Sequence, residues 1–360
     1  MDRRTFVLAA TGAALYPYSL AQLTLSAFVE KQLAGTGFGG AILVARGSSV
    51  LLRSGYGLAS REFDVAVRPE TVFHVASITK LFTATLVMQL VSEKRLTLDD
   101  VIARHLPVYK GEGASTVTIR QLLNHTSGIE NFDRGLTSYA DAARTGMPTY
   151  QLPHTPRELM DQFASGKLVN RPGASFDYNN ADYIILGQII EAVEGASYVD
   201  VLARRILTPT QLAHTGMSSA TRIHANMAST YYKDEDRALL RDMPVYPENW
   251  HAAGGMYSTV DDLRVFASAL YGNRLVSKDV LTTMLTPGLD EYGLGQWVSS
   301  LKVGTTPHRF AQRPGRIMGA NALLLRMLDD DIMVIILANT NLVDTDRLGF
   351  QIARHVLSTS

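Results

Sequence analysis

The sequence has no cysteine among its 360 residues. That absence excludes a disulfide scaffold, a thiolate zinc site, a haem-attachment motif and cysteine-based catalysis. An excess of one charge is lacking too, because 34 basic residues balance 34 acidic ones. Nucleic-acid binding needs a clustered basic surplus, so we expect no nucleic-acid partner.

Motifs for metal and phosphate binding are also missing. The nine histidines include no His-x-x-x-His or His-Glu-x-x-His grouping, so we predict neither a metal site nor a cofactor. The segment 35–40 is rich in glycine, but the pattern after it is typical of a strand. A phosphate-binding loop needs a helix in that place.

The N-terminus has the features of an export signal. Two arginines at positions 3 and 4 precede a short apolar run over 6–15, and small residues follow at positions 19 and 21. A run of ten residues is too short to span a bilayer. We therefore predict that residues 1–21 are a cleaved signal. The arginine pair resembles a bacterial twin-arginine signal, and an ordinary secretory signal is the alternative.

Long apolar runs are absent from the rest of the chain. No later segment reaches 18 consecutive apolar residues. We therefore expect no membrane insertion after signal removal. The predicted location of the mature protein, which would start near Gln22, is the periplasm or the exterior of a bacterium.

Patterns typical of strands lie at the two ends of the mature chain. The runs 39–47 and 50–57 predict one hairpin, and the runs 322–327 and 332–339 predict another. Between them, from about 77 to 290, the pattern is mostly helical. The economical fold is α+β: an antiparallel sheet built from both chain ends, flanked by helices, with an inserted helical domain.

This organisation predicts two lobes. The sheet lobe would comprise 22–76 and 295–360, with helices over 22–34 and 346–357. The helical lobe would comprise 77–294. We expect the active site between the lobes.

Ser77-Ile78-Thr79-Lys80 opens a predicted helix that is apolar nearly all round. Residues three apart share a helix face, so the Ser77 hydroxyl and the Lys80 ammonium can meet. A serine is a poor nucleophile until a base takes its proton, and a buried lysine with a lowered pKa can be that base. The spacing alone is not specific, since Ser299-Ser300-Leu301-Lys302 also satisfies it.

Tyr178-Asn179-Asn180 lies just before a second very apolar helix, 181–193. A tyrosine can carry a proton to a leaving group if cations such as Lys80 lower its pKa. An asparagine amide can bind both a lysine and a substrate carbonyl. The alternative is that Asn179 or Asn180 merely caps the helix.

Together these stretches resemble the serine β-lactamase and penicillin-binding family. The resemblance is to its class C and D-alanyl-D-alanine carboxypeptidase branch, with related esterases and D-aminopeptidases. It covers nearly the whole mature chain, and the order of the motifs makes it specific. The segments that carry it are 55–57, 71–80, 96–100, 119–129, 178–180, 253–259 and 337–339.

The resemblance implies an acyl-enzyme mechanism. Ser77 would be the nucleophile, Lys80 and Tyr178 would handle protons, and Asn180 would orient Lys80 and the substrate. The residues leave open which of Lys80 and Tyr178 is the base in each half-reaction.

The third motif of this family is Lys-Thr-Gly or His-x-Gly, on the strand before the final hairpin. Counting back from the last strand gives Arg313-Pro314-Gly315, which departs from that pattern. Arginine keeps the positive charge, proline removes a hydroxyl, and Gly315 allows close approach of the backbone. The N–H groups of Arg316 and Ser77 would form the oxyanion hole. His308 is the poorer alternative.

Other histidines compete for a role. His125 and Ser127 look like a triad fragment, but we interpret them as part of a hydrogen-bonded loop that braces the helical lobe. His251, three residues before a glycine pair, is a weaker candidate for lining the pocket.

The sequence thus predicts an exported serine hydrolase without cofactor. Its substrate would be a small molecule or peptide: a short-chain ester, a D-amino-acid peptide or a β-lactam. Pro314 argues against efficient β-lactam hydrolysis, because the hydroxyl that holds the carboxylate of β-lactams is missing. The alternative is a catalytically idle protein of the same fold that binds or senses cell-wall peptide.

Overall fold

The two predicted hairpins are the centre of the structure, a computed structural model that describes residues 20–133, 144–234 and 238–359. They contribute to one six-stranded antiparallel sheet. The strands are β1 (Gly40–Arg46), β2 (Ser49–Tyr56), β3 (Trp297–Val303), β4 (Thr306–Ile317), β5 (Ala320–Met327) and β6 (Ile332–Ala338). Their order across the sheet is β3-β4-β5-β6-β1-β2.

The chain ends meet in the middle of this sheet. Strand β1 pairs with β6 from Gly40 opposite Ala338 to Arg46 opposite Ile332. A sheet built from both ends, as predicted, is therefore confirmed, and the fold is of the α+β type.

Side chains alternate between the two faces of the sheet, as the strand geometry requires. Ile42 and Val44 pack on one face against helices α1 (Leu20–Leu33) and α5 (Thr345–Ser358). Ala41 and Leu43 point to the other face and join the larger core. Burial of both faces explains why the central strands are apolar without interruption.

The helical part of the chain is organised around two buried helices. These are α2 (Thr79–Ser92), with eleven buried residues, and α3 (Asn180–Glu194), with ten. A further helix, α4 (Val260–Tyr271), packs on β1 and β6. Helix α3 ends at Glu194, and Gly195, with a φ of +64°, provides its left-handed C-terminal cap.

The remaining elements are short. Short strands lie at Leu58–Ser60, Val65–Ala66, Phe73–His74, Gly216–Met217, Tyr231–Tyr232, Leu240–Arg241 and Met256–Ser258. Short helices and helical turns lie at Ala76–Ile78, Ile102–His105, Ile119–Leu123, Pro148–Gln151, Pro156–Phe163, Tyr198–Leu202, Ala203–Leu207, Thr208–Thr210, Pro247–Trp250, His251–Gly254, Lys278–Met284 and Leu289–Glu291.

The predicted export signal, 1–21, lies outside the described residues apart from its last two, which open α1. Within the described ranges, no helix is both long enough and apolar enough to cross a membrane.

Candidate active site

Ser77 lies in a tight turn just before α2. The turn is the 3-10 segment Ala76–Ile78, so the helix itself starts at Thr79, two residues later than the sequence indicated. Ala76 adopts a left-handed backbone with φ of +46°, and the Thr79 hydroxyl donates to its carbonyl at 2.7 Å. A non-glycine residue in this conformation is strained and must be held by its surroundings. The turn fixes Ser77, half-buried, at the start of the buried helix.

Lys80 is fully buried one turn further on. Its ammonium donates to Ser77 Oγ at 3.2 Å, Asn180 Oδ1 at 2.7 Å and the Ala253 carbonyl at 2.8 Å. All three donors of the ammonium are thereby used. Burial lowers the pKa of Lys80 to about 8, although the neighbouring Tyr178 acts in the opposite direction. The lysine can therefore lose its proton near neutral pH.

Tyr178 approaches Ser77 from the loop before α3. Its hydroxyl donates to Ser77 Oγ at 2.8 Å and accepts a hydrogen bond from Arg313. Burial alone would raise the pKa of this phenol, but the charges of Arg313 and Lys80 outweigh burial and lower the pKa to about 8. Because Lys80 and Tyr178 interact, they lose and gain protons as a pair.

Arg313 reaches the same point from strand β4. It is 1% exposed, and its guanidinium donates to the Ser77 carbonyl at 2.7 Å, the Tyr292 hydroxyl at 2.7 Å and the Tyr178 hydroxyl. The guanidinium is therefore held on three sides. It places a permanent positive charge beside the phenol of Tyr178.

Gly315 lets β4 approach the serine turn. A Cβ atom at this position would lie 2.4 Å from the Val75 carbonyl oxygen and 2.9 Å from Ser77 N. No side chain fits at those distances. The absence of a Cβ at Gly315 therefore permits the contact that puts Arg313 next to Ser77.

A cavity of about 190 Å³ opens beside the serine. A carbonyl group placed in it would be next to the serine hydroxyl and the edge of β4. Its lining residues are Ser77, Tyr178, Trp297, Arg313, Pro314, Gly315 and Arg316.

Arg316 and His308 occupy different places along β4. Arg316 lines the cavity, but its exposed side chain points away and donates to Asp346 at 2.8 Å. The oxyanion role predicted for its backbone N–H remains a prediction. His308 lies seven residues before Gly315, paired with Leu301 and 2.8 Å from Asp330, away from the cavity.

The two asparagines of the tyrosine loop have separate roles. Asn179 caps α3, since its side-chain oxygen accepts from the Ala181 N–H at 2.9 Å. Asn180 is the first residue of the helix and turns its side-chain oxygen to Lys80 instead. The capping alternative thus applies to one asparagine and the lysine contact to the other.

Sequence reasoning missed four residues of this cluster. Asp133 accepts from Asn180 Nδ2 at 2.7 Å and from the Tyr150 hydroxyl at 2.8 Å. The ring of Trp297 stacks on Tyr178, with centroids 5.9 Å apart, and Tyr292 accepts from Arg313. These residues lie on separate loops, a short helix and an edge strand, where no periodic pattern marks them. For Trp297 the rarity of tryptophan, with two in the chain, was an available signal.

The other histidines do not contact Ser77. His125 Nδ1 lies 2.9 Å from Asp182 Oδ2, and both side chains are fully buried. Ser127 Oγ accepts from the Ile129 N–H at 3.1 Å, within the same loop. His251 is buried against the ring of Tyr198, outside the cavity at Ser77.

A larger cavity of about 720 Å³ follows further along β4. Ile317 and Met318 line it, whereas Gly315, two residues before Ile317, lines the cavity at Ser77. Two residues of a strand span about 7 Å, so the two cavities lie side by side. Other lining residues are His74, Asp242, Trp250 and Gly254.

In the described parts of the chain, no group of three or more His, Cys, Asp or Glu side chains is placed to hold a metal ion. The chemistry available at this cluster is that of a serine hydroxyl between a lysine and a tyrosine. Such an arrangement can transfer an acyl group through a covalent intermediate.

The sequence profile of the family described as Beta-lactamase matches residues 25–357. The chain belongs to this family. A curated relative, the putative penicillin-binding protein PbpX of Bacillus subtilis (strain 168), is 26% identical over 272 residues. That match covers 75% of this chain and 65% of the relative, so the chain spans just under two thirds of that protein's length.

Solved structures of similar proteins have the same fold. A D-stereospecific amidohydrolase from Streptomyces sp. is 25% identical with a TM-score of 0.76, covering 91% of this chain and 97% of that one. EstCE1, a hydrolase with promiscuous acyltransferase activity, is 23% identical with a TM-score of 0.77, covering 94% and 100%. The fold of this chain is therefore one that hydrolases use.

Proposed function

We propose that this protein is a serine hydrolase that works through an acyl-enzyme on an ester or an amide. One observation carries the proposal. Ser77 Oγ is within hydrogen-bond distance of both Lys80 Nζ, at 3.2 Å, and the Tyr178 hydroxyl, at 2.8 Å. Both of these groups have pKa values lowered to about 8, so the pair can take up the proton of the serine near neutral pH.

The reaction has two halves. Ser77 attacks the substrate carbonyl while its proton passes to the Lys80–Tyr178 pair, and the pair then gives a proton to the leaving group. The backbone N–H groups of Ser77 and Arg316 hold the oxyanion in the tetrahedral intermediate. In the second half a water molecule, activated by the same pair, releases the acyl group and restores the serine.

Three substrate classes compete, and the relatives favour two of them. The amidohydrolase is described as D-stereospecific and EstCE1 as a hydrolase with acyltransferase activity. A D-amino-acid peptide or amide and a short-chain ester are accordingly the leading candidates. Pro314 lines the cavity at Ser77 without a hydroxyl to hold a carboxylate, which argues against an efficient β-lactamase.

The test is hydrolysis of a short-chain p-nitrophenyl ester by the mature protein and by Ser77→Ala. We expect turnover to fall by about 10⁴-fold or more in the variant, because the covalent step is lost. Ser299→Ala is the matched control. It removes the serine of the second Ser-x-x-Lys sequence, on β3, where Ser299 donates to Glu291 and lies outside the cavity.

The same proteins assayed with a D-amino-acid amide and a chromogenic cephalosporin rank the substrate classes. Equal rates in wild type and Ser77→Ala on every substrate would contradict the proposal. Mass spectrometry of the wild type during turnover should show an acyl group on the peptide that contains Ser77.

The second candidate is a catalytically idle protein that binds or senses cell-wall peptide. The observation that favours it is the replacement of the third motif by Arg313-Pro314-Gly315. Binding of a cell-wall peptide without turnover, unchanged in Ser77→Ala, would support it.

We also infer that the protein is exported to the periplasm or beyond the cell, from the signal predicted at 1–21. We further propose that the chain divides into a sheet lobe and a helical lobe, with boundaries at residues 76–77 and 294–295. This division places Ser77 and Arg313 in different lobes, as an active site between the lobes requires.

A further inference from the structure

We propose that Asp133 is a positioning residue of this site. It fixes the orientation of the Asn180 amide and supplies a negative charge on which the proton affinity of Lys80 depends. The consequence for turnover rests on the function proposed above, whereas the consequence for Lys80 itself does not.

The orientation argument begins with the two ends of the Asn180 amide. Its oxygen accepts from Lys80 at 2.7 Å, and its nitrogen donates to Asp133 Oδ2 at 2.7 Å. An amide rotated by 180° would point its nitrogen at an ammonium that can only donate. A carboxylate can only accept, so Asp133 makes the opposite orientation unfavourable at the other end as well. The amide is thus locked with its oxygen on the lysine.

Asp133 is itself held in place. Its second oxygen accepts from the Tyr150 hydroxyl at 2.8 Å, and its backbone N–H donates to the Asn131 side chain at 3.0 Å. The Tyr150 ring stacks on Trp250 with centroids 4.0 Å apart, which fixes the hydroxyl. Burial raises the pKa of Asp133, but the hydrogen bonds from Asn180 and Tyr150 and the charge of Lys80 act in the opposite direction and favour the ionised form.

The same short segment also holds the tyrosine of the site. Asn131 Nδ2 donates to the Tyr178 carbonyl at 3.0 Å. Residues 131–133 therefore contact both ends of the sequence Tyr178-Asn179-Asn180. These contacts hold the Asp133 carboxylate close to Asn180, which bonds Lys80, and to Tyr178, which bonds Ser77.

The charge argument concerns every group that acts on Lys80. Burial lowers the pKa of the lysine most and Arg313 lowers it too, whereas Tyr178 and Asp133 raise it. The remaining titratable neighbours are Tyr183, whose ring centroid lies 5.5 Å from Lys80 Nζ, and the buried pair His125 and Asp182, behind the ring of Tyr178. If Asp133 becomes neutral, one of the groups that raise the pKa of Lys80 is lost, and the lowering by Arg313 is opposed less. Lys80 should then lose its proton at a lower pH.

The experiment compares wild type with Asp133→Asn, which keeps the size of the side chain and removes its charge. The pKa of Lys80 is read by NMR from its ¹³Cε signal, assigned with Lys80→Met. We expect the Lys80 pKa to fall by about one unit. The acid limb of the pH profile of kcat/KM should move to lower pH by the same amount. The value of kcat should fall by roughly tenfold or more, and KM should change less.

An exchange variant, Asp133→Asn with Asn180→Asp, keeps the net charge of the cluster and can restore the hydrogen bonds. It places the carboxylate directly on Lys80, so the Lys80 pKa should rise above that of wild type. This variant also keeps the test decisive if Asp133→Asn alone folds poorly. Asp329→Asn is the matched control, since it removes a carboxylate that pairs with the exposed Arg309 at 2.8 Å, and Lys80 should titrate as in wild type.

An unchanged Lys80 pKa in Asp133→Asn would overturn the proposal. A loss of kcat with an unchanged pH profile and a lower unfolding temperature would overturn it too, because that is the result of a merely structural residue. If the wild type hydrolyses no substrate, the proposed function fails, and the NMR titration still decides the role of Asp133.

Discussion

At the scale of single residues, the site is a balance of charges in a buried place. Burial disfavours the ionised forms of both Lys80 and Tyr178. Arg313 changes the outcome for the tyrosine, because a guanidinium cannot give up its charge. Its position on β4 therefore decides whether the phenol can take part in proton transfer near neutral pH.

Replacing Arg313 tests this balance. In Arg313→Gln the phenol of Tyr178 stays buried and loses its strongest cationic partner, so the pKa of Tyr178 should rise from about 8. Where the pair must lose a proton to act, the pH profile of ester hydrolysis should move to higher pH, with a rate loss of about 10²-fold at pH 7.

Arg309→Gln is the matched control for that substitution. Arg309 lies on the same strand, but it is exposed and pairs with Asp329 at 2.8 Å. In Arg309→Gln the pH profile of ester hydrolysis should stay as in wild type. An unshifted profile in Arg313→Gln would show that the arginine does not tune the tyrosine.

Sequence reasoning reached part of the site at this scale. Ser77, Lys80, Tyr178 and Asn180 lie in two short motifs, where local spacing already indicates which side chains can act together. Asp133 was missed because its contact with Asn180 spans 47 residues and follows no period. A carboxylate in a loop gives no sign in the sequence of what it will face.

At the scale of elements, the decisive contact is between strand β4 and the turn Ala76–Ile78. The turn has a strained residue at Ala76, and the strand has no side chain at Gly315. The hydrogen bond from Arg313 to the Ser77 carbonyl then joins the two. Strand and turn therefore depend on one another for their positions.

Gly315→Ala should separate the two elements. The added methyl would lie 2.4 Å from the Val75 carbonyl oxygen, so the strand must move. We expect the free energy of unfolding to fall by about 1–3 kcal/mol, as measured by urea denaturation. The loss of kcat/KM on the ester should be larger than partial unfolding can explain, because the displaced strand carries Arg313 and the Arg316 N–H.

Gly304→Ala provides the comparison. Gly304 lies in the turn between β3 and β4 with φ of +58°, and a methyl group added there would have no neighbour within 4 Å. An alanine at this position should cost about 1–2 kcal/mol for its left-handed backbone and leave the activity intact. Similar activities for the two variants would contradict the role given to Gly315.

The elements themselves were largely predictable. The hairpin of β1 and β2, the hairpin of β5 and β6 and the helix α3 follow from apolar runs bounded by turn residues. The start of α2 was wrong by two residues, because the sequence shows a continuous apolar pattern there and does not show the tight turn at Ser77.

At the scale of the whole molecule, buried histidines should make the fold sensitive to acid. His251 is buried in the core behind α3, and burial lowers its pKa to about 4. The unfolded chain takes up a proton on this ring near pH 6.5, whereas the folded protein does so only near pH 4. The stability that this histidine contributes is thus present above pH 6.5 and is lost as the pH falls toward 4.

This linkage predicts a loss of roughly 3 kcal/mol of unfolding free energy from His251 between about pH 7 and pH 4. The variant His251→Asn, whose side chain does not titrate, should be less stable at pH 7 but lose less unfolding free energy as the pH falls. Urea denaturation at a series of pH values measures how the unfolding free energy of wild type and of the variant depends on pH. The same dependence in both proteins would exclude His251 as a source of the acid sensitivity.

The sequence by itself determined the ends of the sheet, the buried helices and the two motifs that carry Ser77, Lys80, Tyr178 and Asn180. These features depend on neighbours within a few positions, where periodicity and spacing act directly. Tertiary structure decided how Arg313 crosses to Tyr178 and how Asp133 fixes Asn180. It also decided that Arg316 turns its side chain away from the site. Those contacts join residues far apart in the chain, and packing alone sets their distances.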